Sequence, residues 1–186
     1  WYSGCGIYRH VWLTKTMKSA YIPQWGQYVA TSPQGDVRVK VDFAASGNRM
    51  KLSVRNTIYD AAGKMVAKSQ GAQEQKLKVK NPHLWDIGKG YLYTVKSELI
   101  VNGKVVDVAT TTAGFRDVKF DAKKGFFLNG KNLKINGVCE HHDFGCLGAA
   151  VNEDAMHRKL IILRDMGVNA IRSSHNPPAP ELLNMC

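Results

Sequence analysis

Residues 36–44 read Asp-Val-Arg-Val-Lys-Val-Asp-Phe-Ala, with Val37, Val39, Val41 and Phe43 on one parity and Arg38, Lys40 and Asp42 on the other. A period of two describes a β-strand with one face buried and one face in water. A slip of one residue would move every valine into solvent, so the register is strongly specified. Similar runs follow between turn residues: Met50–Tyr59 after Ser46-Gly47-Asn48, Lys64–Ser69 after Asp60-Ala61-Ala62-Gly63, and Gln75–Lys80 before Asn81-Pro82. Tyr91–Val101 and Lys104–Thr112 flank Asn102-Gly103, the dipeptide that best accepts the positive φ angles of a type I′ hairpin. About six or seven such strands over roughly 90 residues predict a two-sheet antiparallel sandwich of the immunoglobulin-like type, without the Cys…Trp…Cys core of antibody domains. Residues 15–35, punctuated by Pro23, Gly26, Pro33 and Gly35, read as connecting chain. Ile7–Leu13, aromatic and branched, reads as a strand in its own right.

After a second hairpin, Gly125–Leu128 followed by Asn129-Gly130, the periodicity changes. An apolar-rich run from Leu133 leads to Cys139-Glu140-His141-His142-Asp143. Asn152 then reads as a helix N-cap, with Glu153 and Asp154 in the first turn where the helix dipole favours acids. Met156, Leu160 and Leu163 share one face, widened by Ile162 and Met166, and Gly167 is the stop. Val168–Arg172 is a short strand. Strand, helix, strand in a right-handed crossover predicts two parallel strands. In such sheets, chemistry gathers at the carboxyl ends of the strands. Neighbouring strands lie roughly 4.8 Å apart, so His141 at the first tip and His175 at the second are expected to face one cleft. Arg172, at the second tip, can hold a carboxylate bidentately. A neutral histidine can hydrogen-bond a polyhydroxylated ligand at both ring nitrogens.

The net charge of +11 raises nucleic acid as a partner. Residues 1–132 carry 21 Lys/Arg against 9 Asp/Glu, and residues 133–186 carry 5 against 6. The lysines alternate with apolar residues, as in Lys76-Leu77-Lys78-Val79-Lys80, which describes the solvated face of a sheet rather than a nucleic-acid surface. No run approaches the roughly 18 apolar residues of a membrane span, so neither nucleic acid nor membrane is expected as a partner. Cys5, Cys139, Cys146 and Cys186 are too scattered for a disulfide scaffold. The start, Trp1-Tyr2-Ser3-Gly4, lacks a leader and an initiator Met and reads as a cut inside a longer protein.

Several spaced motifs resemble glycoside hydrolase family 2, the β-galactosidases, β-glucuronidases and β-mannosidases. Ser3-Gly4-Cys5-Gly6-Ile7-Tyr8-Arg9 resembles the end of that family's jelly-roll domain, and Asn81-Pro82-His83-Leu84-Trp85 with Leu92-Tyr93 resembles the late signature of its immunoglobulin-like domain. Gly114-Phe115-Arg116 and Phe127-Leu128-Asn129-Gly130-Lys131 resemble the passage into its (β/α)8 barrel. Gly137-Val138, His141 and Gly167-Val168-Asn169-Ala170-Ile171-Arg172-Ser173-Ser174-His175 resemble the first two barrel strands. The wording His-His-Asp-Phe-Gly-Cys-Leu-Gly is closer to β-galactosidase-type members.

The resemblance implies a mainly β chain: residues 1–20 ending a sugar-binding jelly roll, 21–117 an immunoglobulin-like sandwich, and 118–186 an incomplete, truncated TIM barrel beginning β-α-β. It implies a retaining glycosidase of carbohydrate substrates such as terminal β-D-galactosides, with His141 and His175 binding substrate and Arg172 orienting the nucleophile. The two catalytic Glu would lie on later barrel strands, leaving this fragment inactive; Asn152-Glu153 sits at a helix start and is read as a cap. Where the family has other polar residues after Val138, this chain has Cys139-Glu140, whose roles stay open. No cofactor is evident, a divalent cation such as Mg is compatible with a full-length member, and a homo-oligomer is left open.

Two other functional classes draw on residues of the same chain. Cys139, His141, Asp143 and His175 have the ligand types of a zinc site without its standard spacing. Tyr21, Trp25 and Tyr28 could form a stacking platform, making the sandwich a non-catalytic carbohydrate-binding or interaction module. A barrel begun with two strands also leaves a bare edge, so the region after about Lys131 is expected to be poorly packed, to pair with another copy, or to pack on the sandwich.

Overall fold

The computed structural model describes residues 6–47 and 50–186. The chain is mainly β and divides into two compact units, Thr14–Asn132 and Leu133–Cys186, the second joined by the segment ending at Leu13. The resemblances placed on residues 1–5 lie outside the described residues.

The first unit is the expected sandwich. Its strands are β1 (Ala20–Tyr21), β2 (Gln27–Thr31), β3 (Asp36–Val41), β4 (Ala44–Ala45), β5 (Leu52–Tyr59), β6 (Met65–Gly71), β7 (Glu74–Lys78), β8 (Tyr93–Val101) and β9 (Lys104–Ala113). One sheet runs β2-β3-β7 and the other β6-β5-β8-β9, all antiparallel, with β1 and β4 as a separate pair. Unlike a constant-type immunoglobulin domain, the strand after β5 joins β5 rather than the sheet of β7. The Asp36–Val41 parity holds, because Val37, Val39 and Val41 are buried while Asp36, Arg38 and Lys40 are exposed. They face Val54, Ile58, Val95 and Leu99 from the opposite sheet, all at most 1% exposed. Each such side chain contributes roughly 1.5–3 kcal/mol relative to exposure. A polar bridge crosses this core: Gln27 Nε2 donates to Val95 O (3.1 Å) and Ser97 Oγ (2.7 Å), and Ser97 Oγ donates to Asn56 Oδ1 (2.6 Å).

Two expectations are corrected. The connecting stretch 15–35 contains β1 and β2. Gln27–Thr31 lacks clear alternation, and its pairing with β3, from Gln27 opposite Val41 to Thr31 opposite Val37, makes it a strand. Conversely, Ile7–Leu13 forms no strand: it has no ladder partner among the described residues, and Val11, Trp12 and Leu13 are exposed.

Segments far apart in sequence meet where the chain leaves the sandwich. Phe115, 1% exposed, stands edge-on to Tyr93 at 4.9 Å. Phe115 O accepts from Trp85 N (2.8 Å), Arg116 lies 4.9 Å over the Trp85 ring, and Asn129 Nδ2 donates to Trp85 O (2.9 Å). The following antiparallel sheet, β10 (Val118–Asp121), β11 (Gly125–Leu128) and β12 (Lys131–Asn132), turns at Asn129-Gly130 with both φ positive and groups with the sandwich unit.

In the second unit, β13 (Gly137–Glu140) and β14 (Ala170–Ser173) pair in parallel through α1 (Glu153–Asp165), and a short α2 (Pro180–Met185) follows. This is the β-α-β start expected from the sequence.

Candidate functional site

Local interactions fix both strand ends. At the amino ends, Asn169 acts as a clasp: its backbone N donates to Asn136 O (3.0 Å), its Oδ1 accepts from Asn136 N (2.9 Å), and its Nδ2 donates to Lys134 O (3.0 Å). The register then runs Gly137 opposite Ala170, Val138 opposite Ile171, Cys139 opposite Arg172 and Glu140 opposite Ser173. Ser174 N donates to Glu140 O (2.8 Å), which carries the pairing to the carboxyl tips.

The helix between them is capped at both ends. Asn152 Oδ1 accepts from Ala155 N (2.9 Å), with Glu153 and Asp154 in the first turn, so Asn152-Glu153 is a cap. Gly167, at φ +86°, ends the helix in a Schellman motif: Val168 N donates to Leu163 O and Gly167 N to Arg164 O. Met156 is the buried residue of α1; Ile162 and Met166, expected to widen the covered face, are exposed.

At the tips, the His141 and His175 rings are 5.5 Å apart and nearly perpendicular, at 83°. Arg172 Nη2 lies 3.2 Å from His175 Nδ1. A guanidinium has only donors, so Nδ1 accepts and the ring proton is placed on Nε2. Arg172 Nη1 donates to Ser174 Oγ (3.0 Å), on a residue only 3% exposed, and lies 3.9 Å from Cys139 Sγ. No carboxylate pairs with Arg172 among the described residues. The Ser174–His175 peptide bond is cis.

Beside the tips lies a cavity of about 50 Å³, whose wall includes His141, His142, Ser173, Ser174, Met156 and Lys159. His142 stacks on Tyr8, with centroids 5.7 Å apart and planes at 19°, and its shielded Nδ1 has no hydrogen-bond partner among the described residues. The sequence reading also missed Lys159, whose Nζ donates to Glu140 Oε2 at 2.6 Å. The signal was present: Lys159 falls at i+3 from Met156, on the apolar stripe itself. Of the other histidines, His10 Nε2 meets Glu181 Oε1 at 3.0 Å and the His83 ring lies 4.7 Å from that of Tyr91.

Among the described residues no group of three or more His, Cys, Asp or Glu side chains is placed to hold a metal ion. The zinc set Cys139, His141, Asp143 and His175 is not assembled.

The chain is similar to known proteins along its whole length. Over all of the chain, it is 47% identical to a β-galactosidase of Bacteroides ovatus, covering 24% of that protein. It is 33% identical to a β-glucuronidase of Bacteroides fragilis over 97% of the chain and 28% of that protein. The crystal structure of a β-glycosidase from Bacteroides vulgatus superposes with a TM-score of 0.89 at 32% identity, covering the whole chain and 25% of that structure. The chain thus spans about a quarter of the length of the curated relatives it matches. With residues 21–116 matching the model of glycosyl hydrolases family 2 and residues 118–186 matching the model of that family's TIM barrel domain, the chain belongs to glycosyl hydrolases family 2.

Proposed function

We propose that the whole protein is a retaining β-glycosidase that removes terminal β-D-galactosyl residues from carbohydrates, and that these residues grip the sugar. The observation that carries this reading is the meeting of His141, His175 and Arg172 at the tips of two parallel strands. With its proton on Nε2, His175 offers a donor to a sugar hydroxyl, and His141 supplies a second ring at 5.5 Å. Retaining hydrolysis needs an acid/base and a nucleophilic carboxyl about 5–5.5 Å apart. Five of the six carboxylates of residues 133–186 have other partners or places: Glu140 pairs with Lys159, Glu181 with His10 and Asp165 with Arg164, while Glu153 and Asp154 begin α1. Both catalytic carboxyl groups are assigned to later barrel strands, as the resemblance to the family implies. Arg172, whose present partners are neutral, is assigned to hold the nucleophile's carboxylate once it arrives.

Galactose is favoured over glucuronic acid by the 47% identity to a β-galactosidase. The test uses the full-length protein with aryl β-D-galactoside and β-D-glucuronide. We expect turnover of the galactoside, no turnover by residues 1–186 alone, and a KM raised roughly tenfold by His141→Ala or His175→Ala, the worth of about one hydrogen bond. Turnover by the 1–186 chain, or unchanged KM in both variants, would reject it.

One observation favours a second reading. Trp25 is 87% exposed and Tyr28 is 58% exposed, as a sugar-stacking platform on the sandwich requires. Calorimetric titration of residues 1–186 with galactose, lost on Trp25→Ala, would favour a binding module in place of the glycosidase grip.

A further inference from the structure

Glu140 stands immediately before His141, and its carboxylate faces the helix rather than a ligand. Lys159 Nζ donates to it at 2.6 Å, and the two side chains are only 32% and 21% exposed, Lys first. The same ammonium lies 4.3 Å above the Phe144 ring and donates to Asp143 O at 3.4 Å. One cation on α1 thus holds the chain on both sides of His141 and His142. On its other flank the tip is held by Ser174 N donating to Glu140 O, so Glu140 is fixed through both its carbonyl and its carboxylate. The helix that carries Lys159 is itself fixed by its Asn152 cap and Gly167 stop. A lysine on the apolar stripe of a helix covers that stripe with its stem. It also needs its charge answered, because removing one partner of a partly buried pair leaves the other uncompensated.

We propose that Lys159 is a positioning residue for substrate binding: with Glu140 it fixes the segment Glu140–Phe144 so that His141 is presented to the sugar against His175. The proposal rests on the reading of His141 as a sugar ligand. Lys159 acts on the sugar site through Glu140 and the loop that carries His141.

The experiment uses the full-length protein and p-nitrophenyl β-D-galactopyranoside. Lys159→Met keeps the stem and removes the charge. It is expected to raise KM by roughly ten- to a hundredfold, as small misplacements of binding groups do, with kcat within about twofold. Lys159→Arg should restore KM to near the parent value, and Glu140→Gln, which removes the other charge without changing shape, should repeat the effect if Lys159→Met fails to fold. Because Lys159 acts through His141, Lys159→Met should add little to His141→Ala. The His141 ring resonances of histidine-labelled protein should shift in Lys159→Met. If KM and the His141 resonances stay put in Lys159→Met while His141→Ala raises KM, the positioning role is wrong. A full additional rise on top of His141→Ala overturns it equally. If His141→Ala leaves KM unchanged, the sugar-ligand reading falls first and takes the proposal with it.

Discussion

At the scale of single residues, the sandwich carries a charge cluster with a calculable pH response. Arg55 and Glu98 are direct partners across β5 and β8, and Arg55 Nε donates to Glu98 Oε2 at 2.6 Å. Lys96 Nζ lies 3.1 Å from the other carboxylate oxygen, and the Glu98 side chain is 13% exposed. The hydrogen bond from Arg55 holds the Glu98 carboxyl below its usual 4.5, against a smaller opposing effect of burial. A carboxylate depressed in the folded state stabilises the fold above its unfolded pKa, and that contribution is lost as pH falls through the folded value. Glu98→Gln should therefore lower the melting temperature at pH 7, and the gap to the parent should close as pH is taken from about 4.5 downward. A constant gap from pH 7 to pH 3 would show that the pair contributes nothing through charge. The tips of the second unit were legible in a different way. His141 and His175 could be paired from sequence because a parallel crossover puts successive strand ends side by side. The Lys159–Glu140 contact depends on how α1 rolls against the strands, and periodicity marks only which face is apolar.

At the scale of elements, turns divide into those a glycine permits and those it makes sterically necessary. Gly103 closes the β8–β9 hairpin at φ +83°, and a Cβ added there would meet nothing within 4 Å. Gly35, between β2 and β3, has φ +92°, and a Cβ there would come 2.1 Å from Val79 O. That approach exists because Val79 N donates to Gly35 O at 2.9 Å, tying the β2–β3 turn to the chain just past β7. Gly103→Ala should then cost only the left-handed backbone penalty, about 1–2 kcal/mol. Gly35→Ala adds a backbone clash and should cost roughly 3 kcal/mol or more. Urea midpoints followed by circular dichroism would compare them; equal shifts would mean the Val79 contact relaxes freely. The hairpin at Asn102-Gly103 was plain in sequence, since its residues alone dictate the turn. The strand Gln27–Thr31 was hidden because β3 defines it, and the segment Ile7–Leu13 misled because aromatic and branched residues favour a ladder without supplying its second strand.

At the scale of the whole molecule, the two units differ in how much they bury. Thr14–Asn132 holds the cluster running from Ala20 to Phe115, whereas Met156 and Ala179 are the buried apolar residues described in Leu133–Cys186. In the latter, Ile135, Leu147, Ile162, Met166 and Leu183 are all exposed. Among the described residues β13 and β14 pair only with each other, so each keeps an outer edge of unmatched backbone groups. Segments with few buried apolar contacts open at low free energy, while core strands exchange only near global unfolding. In the 1–186 chain, amides of β5 and β8 should therefore exchange at least roughly a hundredfold more slowly than those of β13 and β14. In the full-length protein the same β13 and β14 amides should gain protection, because a parallel sheet is stable when both faces and edges are covered. Hydrogen exchange read by mass spectrometry on both proteins separates the outcomes. Equal protection of β13 and β5 in a monomeric 1–186 chain would mean the strand pair needs no further neighbours. No gain in the full-length protein would mean that the exposed apolar residues of Leu133–Cys186 are not where the rest of a barrel docks.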